Sequence, residues 1–451
     1  MKILLVISNN IFYRNYLNRY VLDDLKKYAD IKIIGNKKAV NDTKNLVDDV
    51  CFENSLNSIL HSIISATLMF SNVNKSKSFY FRIDVRYFPQ KISKITFRSI
   101  ARYLKKLIIF AFYKTITYSS FISKIFVSIL KKFLTINRSF EDIVNRENPD
   151  LILMPTNGYY SFELDIEHTL HKLGKKYISL IDNWDNLSSK TLLVYKANHY
   201  GVWGDQNRMH AHEIQNINPD KTTSIGTPRY EIYKNTNIKK LFQFKYILFA
   251  GSSNKYDEFA VLKKLNSILS KLNTDIKIVY RHHPWRESDE FPDISILSNV
   301  ILDPQMEKQY HLKKRMDVEF QPELDYYTDL VGGSEFVIGG ATSMMIEAQL
   351  QKKHFVLLAH EEPTYYYSPR AWINAFTHFT ELFLLKNLTL IDNLSELEEV
   401  ILKFLNGDLI FIKDDFLSYF IKFDEEPYGN KLIKLIEEFK KNDRQNKKIL
   451  S

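Results

Sequence analysis

Apolar residues recur along the chain in short runs that are rich in β-branched side chains. Four of these runs have the length and composition of buried strands: residues 2–8, 31–35, 150–155 and 176–181. Stretches with helical periodicity, Tyr16–Tyr28 and Leu164–Leu173, lie between some of them, and Gly174 follows the second, where a helix is expected to end. This alternation of strand and helix predicts a parallel sheet with helices on both faces.

A second series of elements begins after a polar and basic segment. It starts with a strand, a glycine-serine loop and a helix, and it ends with helix, strand, glycine turn, helix and strand. The pattern therefore predicts two α/β domains, and a length of 451 residues agrees with more than one hydrophobic core. The predicted segments are an N-terminal domain at 1–228, a linker at 229–244, a C-terminal domain at 245–425, and a C-terminal helix and tail at 426–451.

The composition is that of a globular protein. Apolar residues make up 45% of the chain, and no repeat or low-complexity region interrupts the pattern. The single cysteine, Cys51, cannot form an internal disulfide, which fits a reducing cytoplasm. The first apolar run is too short for a signal peptide and is followed by polar residues, so we expect it to form the first buried strand.

Positive charge is concentrated in an insertion predicted at about residues 85–138. Between Phe81 and Arg138 there are thirteen Lys or Arg residues and one acid, whereas the net charge of the whole chain is +9. The excess positive charge of the chain is therefore local, and we expect any basic surface for a partner to lie within this insertion.

Part of this insertion is apolar enough to raise the question of a membrane span. Leu107–Leu130 has the length to cross a bilayer, but it contains Lys114 and Lys124. Each lysine would cost about 2.5–3.5 kcal/mol near the bilayer centre, so a spanning helix is not expected. We expect instead an amphipathic helix pair over residues 91–133 that lies on an anionic membrane surface. The alternative is a packed helical insertion with a solvated basic face. A nucleic acid partner is not expected, because no recognition motif accompanies the charge.

Polar clusters follow three predicted strands of the second half. A glycine there allows backbone N–H groups to approach an anion, a histidine can protonate a departing phosphate, and hydroxyls that start a helix can bind phosphate. A carboxylate one helical turn later could accept both hydroxyls of a ribose. Each cluster also has an ordinary explanation as a turn, a surface loop or a helix cap. The candidate donor-binding residues are Gly251, Ser252, Ser253, Arg281, His283, Gly340, Thr342, Ser343 and Glu347, with Arg286 as a further source of charge.

Several familiar nucleotide and metal motifs are missing from the sequence. There is no GxxxxGK[ST] loop, no GxGxxG fingerprint, no DxD and no Cys/His cluster with metal-ligand spacing. The clusters therefore indicate a nucleotide site that is neither a P-loop nor a dinucleotide site. No metal and no other cofactor is expected.

The ordered set of motifs resembles a known group of enzymes. "VYRHHP" and "GGATSMMIEAQLQKKHFVLL" resemble the nucleotide-binding half of the CDP-glycerol glycerophosphotransferase-like and capsular polysaccharide glycosyltransferase group. "IDNWDNLSSK", "YGVWGDQNRMHA" and "SIGTPRYEIY" resemble the first half of a related bacterial set. The resemblance covers residues 150–360 and implies the GT-B fold, with two Rossmann-like domains and an interdomain cleft. The turn "ATSMM" departs from the double serine of the glycerophosphotransferases, which disfavours a CDP-polyol donor.

The resemblance also implies roles for individual residues. His283 would contact the donor phosphates and assist departure of the nucleotide. Thr342 and Ser343 would bind the phosphates, Glu347 the ribose, and Gly251 with Ser252 would line the same pocket. The acceptor would bind to the N-terminal half.

Residues 177–190, "YISLIDNWDNLSSK", are the candidate acceptor side. Asp182 and Asp185 follow a predicted strand, and either is a candidate base for the acceptor hydroxyl if burial raises its pKa. The alternative is that Asp185 only caps the next helix. The candidate acceptor-binding residues are Trp184, Asn186 and Lys190.

The sequence thus predicts a metal-independent GT-B glycosyltransferase that moves a sugar from a nucleotide donor to a surface-glycan or lipid-linked acceptor. We expect it to be cytoplasmic and peripheral on the inner face of the cell membrane. The alternatives are a CDP-polyol phosphotransferase, a sugar-nucleotide epimerase and a non-catalytic membrane-docking scaffold.

Overall fold

The computed structural model describes residues 1–37, 47–88, 96–235, 237–284, 293–307, 323–365 and 367–450. The chain forms two compact units. The first unit is Met1–Pro228 together with Phe376–His378 and Ser418–Ser451. The second is Arg229–Ala375 together with Phe379–Leu417. The chain therefore returns twice to the first unit after entering the second, whereas the sequence pattern predicted a single crossing.

The first unit contains a parallel sheet of seven strands in the order β3-β2-β1-β4-β5-β6-β7. Its central strands are buried on both faces, which explains why they appear in the sequence as nearly continuous apolar runs. The strands are β1 (Lys2–Ile7), β2 (Asp30–Asn36), β3 (Asp49–Cys51), β4 (Leu151–Thr156), β5 (Tyr177–Ile181), β6 (His199–Val202) and β7 (Thr222–Ser224).

In the described residues, ten α-helices accompany this sheet before the chain enters the second unit. Five of them, α3 to α7, lie between β3 and β4 and include the predicted basic insertion. The helices are α1 (Asn10–Tyr16), α2 (Arg19–Tyr28), α3 (Ser55–Ser71), α4 (Lys77–Tyr87), α5 (Phe97–Ile116), α6 (Ser120–Lys132), α7 (Arg138–Glu147), α8 (Ser161–Lys172), α9 (Asn186–Ser189) and α10 (Asp205–Glu213).

The second unit contains a parallel sheet of six strands in the order β10-β9-β8-β11-β12-β13. The strands are β8 (Tyr246–Ala250), β9 (Lys277–Arg281), β10 (Val300–Leu302), β11 (Val337–Gly339), β12 (Phe355–Leu358) and β13 (Leu388–Ile391). Its helices are α11 (Glu258–Lys271), α12 (Leu324–Gly332), α13 (Met344–Leu350), α14 (Pro369–Ala375) and α15 (Leu397–Leu405). A 3₁₀ helix, Pro228–Lys234, begins at the boundary between the units.

The C-terminal part of the chain, α16 (Leu417–Phe420) and α17 (Tyr428–Leu450), completes the first unit. Alternate residues of β1 point to the two faces of the sheet. Leu4 and Val6 pack against residues of α7 and α8, whereas Ile3, Leu5 and Ile7 share a core with α1, α2 and α17. Helix α17 therefore covers one face of the first sheet and is not an independent tail. None of the described helices is long and apolar enough to cross a membrane.

Candidate functional site

Three strand ends converge at the carboxyl edge of the second sheet, because β9, β8 and β11 are neighbours and run parallel. A β-carbon added at Gly251 would lie 2.9 Å from His282 Cα and from His283 N. A β-carbon at Gly340 would lie 3.2 Å from Ser252 Cβ. The sequence clusters around residues 251, 283 and 340 therefore form one region of the second unit, where open α/β sheets bind their ligands.

A buried glutamate, Glu258, stabilises the turn after β8. It accepts a hydrogen bond from Ser252 N at 3.0 Å and another from the Tyr280 hydroxyl at 2.5 Å. Ser252 Oγ in turn accepts from Asn254 N at 3.1 Å, while Ser253 is exposed. Sequence reasoning missed Glu258. Because of Glu258, the Ser252 N–H that was predicted to contact a phosphate donates a hydrogen bond to a carboxylate within the protein.

The predicted donor residue Arg281 is enclosed in the protein. Its side chain is 4% exposed, forms an ion pair with the fully buried Asp303, and donates to Gln305 Oε1 at 2.9 Å. Its guanidinium also lies 4.3 Å from the ring centre of Tyr327. Moving Arg281 towards a ligand would leave the Asp303 charge buried and uncompensated, which is strongly unfavourable. The structure therefore gives Arg281 a structural role in place of the predicted contact with the donor.

The histidine loop places its two rings differently. His282 is buried, whereas the predicted catalytic residue His283 is partly exposed. His283 thus follows β9 at the shared carboxyl edge with part of its surface open to a ligand. The predicted contribution of Arg286 lies outside the described residues.

Glu347 is bound by two residues of the segment that the sequence pattern predicted to be the linker, Arg229 and Tyr233. The side chain of Glu347 is 1% exposed and forms an ion pair with Arg229. It accepts from the Tyr233 hydroxyl at 2.7 Å and from Ser343 Oγ at 3.4 Å. Arg229 and Tyr233 are four residues apart in the 3₁₀ helix Pro228–Lys234, and neither carries a local sequence signal that it pairs with Glu347.

Thr342 and Ser343 precede α13 and are partly exposed. Ser343 is the N-cap residue, but its side chain makes no capping hydrogen bond. Its hydroxyl accepts from Arg229 Nη2 at 3.3 Å. Simple helix capping, the ordinary explanation for Ser343, is therefore not what the structure shows.

In the first unit, Asp182 and Asp185 are both held by neighbouring side chains. Asp182 is buried at the end of β5 and accepts from Asn15 Nδ2 at 3.1 Å. Asp185 pairs with Lys190 at 3.0 Å and accepts from Ser189 Oγ at 2.6 Å. Burial alone would raise the pKa of Asp185, but the Lys190 charge and the hydrogen bond from Ser189 hold that pKa well below its usual range. The raised pKa on which the proposed base role depends is not present at Asp185.

The predicted acceptor-binding residues differ in exposure. Trp184 is buried between His378 and Phe420, with ring centres 5.0 and 5.7 Å away. Asn186 is buried and donates to Asn157 Oδ1 at 2.9 Å. Both therefore have packing roles in the described state. Lys190 remains partly exposed and lies 5.4 Å from the ring centre of Tyr159.

Sequence reasoning also missed Glu163, a buried residue of α8. Its carboxyl group lies between the end of β1 and the end of β4. It accepts from Ser8 Oγ at 2.7 Å and Thr156 Oγ at 2.8 Å, and from the backbone N–H groups of Asn157 and Gly158. Burial raises the pKa of Glu163 to about 7, although these hydrogen bonds oppose the shift. The strand order reverses between β1 and β4, a position at which open α/β sheets commonly bind ligands.

No metal site accompanies these groups in the ranges that the structure covers. The described residues contain no group of three or more His, Cys, Asp or Glu side chains that could hold a metal ion.

Comparison with solved structures finds the same fold in UDP-GlcNAc 2-epimerases. A putative enzyme of this kind from Listeria monocytogenes aligns with a TM-score of 0.54 and 11% identity, over 97% of this chain and 95% of that one. The Neisseria meningitidis enzyme bound to UDP-GlcNAc aligns at 0.51 and 12%, over 97% and 99%. The Methanocaldococcus jannaschii enzyme aligns at 0.50 and 11%, again over 97% and 99%. This chain has the GT-B fold.

The likeness is one of fold, since so low an identity carries no activity with it. No protein-family model matches the chain. No curated protein sequence matches it significantly either. The predicted GT-B architecture of two Rossmann-like domains with a basic helical insertion is confirmed.

Proposed function

We propose that this protein is a nucleotide-sugar-dependent glycosyltransferase of cell-surface polysaccharide biosynthesis. The observation that carries the proposal is the convergence of Gly251, His283 and Gly340 at one sheet edge, next to Ser343 and Glu347. The groups that we propose to bind phosphate and ribose therefore all belong to the second unit. The Neisseria meningitidis enzyme of the same fold is bound to UDP-GlcNAc, which supports a nucleotide sugar as the ligand.

In the proposed reaction the bond between the anomeric carbon and the donor phosphate oxygen breaks. His283 contacts the phosphates and assists departure of the nucleotide, Thr342 and Ser343 bind the phosphates, and Glu347 binds the ribose. The acceptor hydroxyl attacks the anomeric carbon and loses its proton to a base. We assign acceptor binding to the loop after β5, with Lys190 as its accessible charged side chain.

Nucleotide binding provides the first test. A ligand that binds only the native state raises the melting temperature by mass action. We expect at least one of CMP, CDP, UDP, GDP and their sugar conjugates to raise it, and His283→Ala to lose turnover while it keeps the wild-type melting temperature without ligand. If none of these nucleotides changes the melting temperature, the proposal is wrong.

An epimerase is the second candidate, because the three structures of the same fold described above are UDP-GlcNAc 2-epimerases. The two activities differ in their need for an acceptor. A transferase releases nucleotide in proportion to the acceptor supplied, whereas an epimerase converts the donor sugar without one. Incubation of the purified protein with a binding nucleotide sugar, followed by analysis of the sugar, distinguishes them. Conversion in the absence of acceptor would favour the epimerase.

The proposed acceptor is a surface glycan or a lipid-linked glycan. A CDP-polyol phosphotransferase, the remaining enzymatic alternative, would instead release CMP from its donor.

We infer further that the protein attaches to an anionic membrane surface through α5 and α6. Each of the two helices packs on α3 through a narrow stripe of its own side chains. Tyr113 of α5 stacks on Phe70 at 4.9 Å between ring centres, and Val127 and Leu130 of α6 pack in a cluster with Ile64. The opposite faces carry large apolar side chains that are 41–88% exposed and recur mostly at intervals of three or four residues: Phe97, Ile100, Leu104, Leu107, Ile108, Phe112, Phe121, Ile122, Ile125 and Ile129.

The charges on this helix pair suit anionic headgroups. Residues 97–133 contain eight Lys or Arg and no Asp or Glu. At 3.6 residues per turn, Arg98 and Lys105 lie beside the apolar face of α5 and not within it. An exposed apolar face with basic flanks is typical of a helix that lies in the membrane interface. The part of the prediction that concerns residues 91–95 lies outside the described residues.

Vesicle binding tests the membrane proposal. We expect the protein to bind phosphatidylcholine vesicles that contain phosphatidylglycerol more strongly than pure phosphatidylcholine vesicles. Ile108→Ser combined with Phe121→Ser should reduce that binding more than tenfold, since each side chain loses about 1.5–3 kcal/mol when it is not buried. Ile410→Ser is the control, because Ile410 is as exposed as Ile108, at 69%, but lies in the second unit. Equal binding by the double variant and the control would contradict the proposal.

A further inference from the structure

We infer that Arg229 is the cation that binds the phosphates of the nucleotide donor, the role that the sequence assigned to Arg281. The inference rests on the proposed function, since it concerns the same nucleotide site. The ligand group is the diphosphate of a nucleoside diphosphate or of its sugar conjugate.

The position of Arg229 supports this role. Its Nη2 donates to Ser343 Oγ at 3.3 Å and also to Glu347 Oε1. The guanidinium therefore contacts both the hydroxyl assigned to phosphate and the carboxylate assigned to ribose. In a nucleotide, phosphate and ribose are directly linked, so a group that contacts both binding residues lies beside the junction.

The partners of Arg229 hold it at this place. Glu347 compensates its charge, and the guanidinium carbon lies 5.2 Å from the ring centre of Tyr230. The Tyr233 hydroxyl occupies the other oxygen of Glu347, which fixes the orientation of the carboxylate. An arginine fixed in this way can bind phosphate without first being ordered.

A comparison with Arg281 shows why the role falls to Arg229. The side chain of Arg281 is 4% exposed and its partner Asp303 is fully buried. The side chain of Arg229 is 17% exposed. A diphosphate can thus approach part of Arg229, whereas contact with Arg281 would require a buried ion pair to break. Because negative charge builds up on the departing phosphate, a fixed guanidinium there also stabilises the transition state.

Two matched variants separate phosphate binding by Arg229 from simple support of Glu347. Replacing Arg229 alone would leave the buried Glu347 charge without its partner and could unfold the protein. The comparison is therefore between Glu347→Gln, which keeps the partly exposed Arg229, and Arg229→Gln/Glu347→Gln, in which neither charge remains. The ligands are the nucleoside diphosphate among CDP, UDP and GDP that stabilises the wild type most, and the matching nucleoside.

We expect the double variant to bind the diphosphate about tenfold to a hundredfold more weakly than Glu347→Gln does, because it has lost a charge-assisted hydrogen bond to the phosphates. Affinity for the nucleoside should be the same in both. Arg281→Gln/Asp303→Asn serves as the control. It should lower the melting temperature without a loss of affinity that depends on the phosphates.

Two other results would overturn the inference. Equal diphosphate affinity in Glu347→Gln and the double variant would show that Arg229 acts only on Glu347, and the proposed function would stand. If the wild type binds no nucleotide at all, the proposed function falls and the role of Arg229 falls with it.

Discussion

Glu163 is fully enclosed, yet four donors point at its carboxyl group. Its hydrogen bonds connect the end of β1 with the loop after β4, where Gly158 adopts a left-handed conformation with φ of 76°. Through Asn157 this loop contacts Asn186 in the candidate acceptor loop. The carboxyl group of Glu163 is thereby connected by hydrogen bonds, through Asn157, to the candidate acceptor loop.

The raised pKa of Glu163 gives a signed prediction for stability. In the unfolded chain this carboxyl loses its proton near pH 4.5, whereas in the folded protein it retains the proton up to about pH 7. Between these values the folded state binds more protons, so its contribution to the free energy of unfolding falls as pH rises. Over the whole interval the loss amounts to about 3 kcal/mol.

Chemical denaturation at pH 4.5, 6 and 8 of the wild type and of Glu163→Gln checks this. The difference between the two free energies of unfolding should change by a few kcal/mol in favour of the variant as pH rises, and then stay level above pH 7. A difference that does not depend on pH would contradict the raised pKa.

For Asp185 we expect the opposite dependence of stability on pH. Its pKa is lowered, so the stability it contributes is present above about pH 4 and is lost only in stronger acid. Asp185→Asn should lower the free energy of unfolding by about 3–5 kcal/mol at pH 7, because the partly buried Lys190 loses its partner. Asp185→Asn/Lys190→Met should recover part of the loss. If the single variant is as stable as the wild type, the ion pair does not contribute as its geometry indicates.

At the scale of elements, the turn after β8 depends on the absence of a side chain. Gly251→Ala would place a β-carbon 2.9 Å from backbone atoms of His282 and His283, and backbone cannot move away cheaply. We expect a loss of about 1–3 kcal/mol in the free energy of unfolding and weaker nucleotide binding, since the loop after β9 must shift. Gly340→Ala is the matched control. Its β-carbon would meet side chains of Tyr256 and Ser252 at 3.1 and 3.2 Å, so the effect should be smaller. Equal losses in both variants would contradict the steric argument.

The strands were predictable because a parallel sheet buries both faces of each strand and requires continuous apolar runs. β1, β4 and β5 lie where the sequence pattern placed them, and the polar clusters after β8, β9 and β11 meet because parallel neighbours end at one edge. Partners distant in sequence were not predictable. The pairing of Arg229 with Glu347 spans 118 residues, and the enclosure of Arg281 depends on Asp303. Neither partner carries a local signal, so the sequence could not indicate that Arg281 is enclosed while Arg229 stays partly exposed.

At the scale of the whole molecule, the path of the chain differs from a simple series of two domains. An amphipathic helix near the C terminus is visible in the sequence, but which sheet its apolar stripe covers is not. The structure answers this, since Tyr428, Leu432, Leu435 and Ile436 share a core with Ile3 and Leu5 of β1. The last part of the chain therefore completes the first sheet, and the first unit is not fully covered until the end of the chain is in place.

Leu432→Ala tests this dependence. Leu432 is fully buried in the core that β1, α2 and α17 share, so the variant should lose about 2–5 kcal/mol of unfolding free energy. Glu438→Ala, at an exposed position of the same helix, should change it by less than about 0.5 kcal/mol. The site residues of the second unit lie in another core, so nucleotide affinity of folded Leu432→Ala should match the wild type. Equal stability of the two variants would mean that α17 does not pack on the first sheet, and β1 would then expose the face formed by Ile3, Leu5 and Ile7.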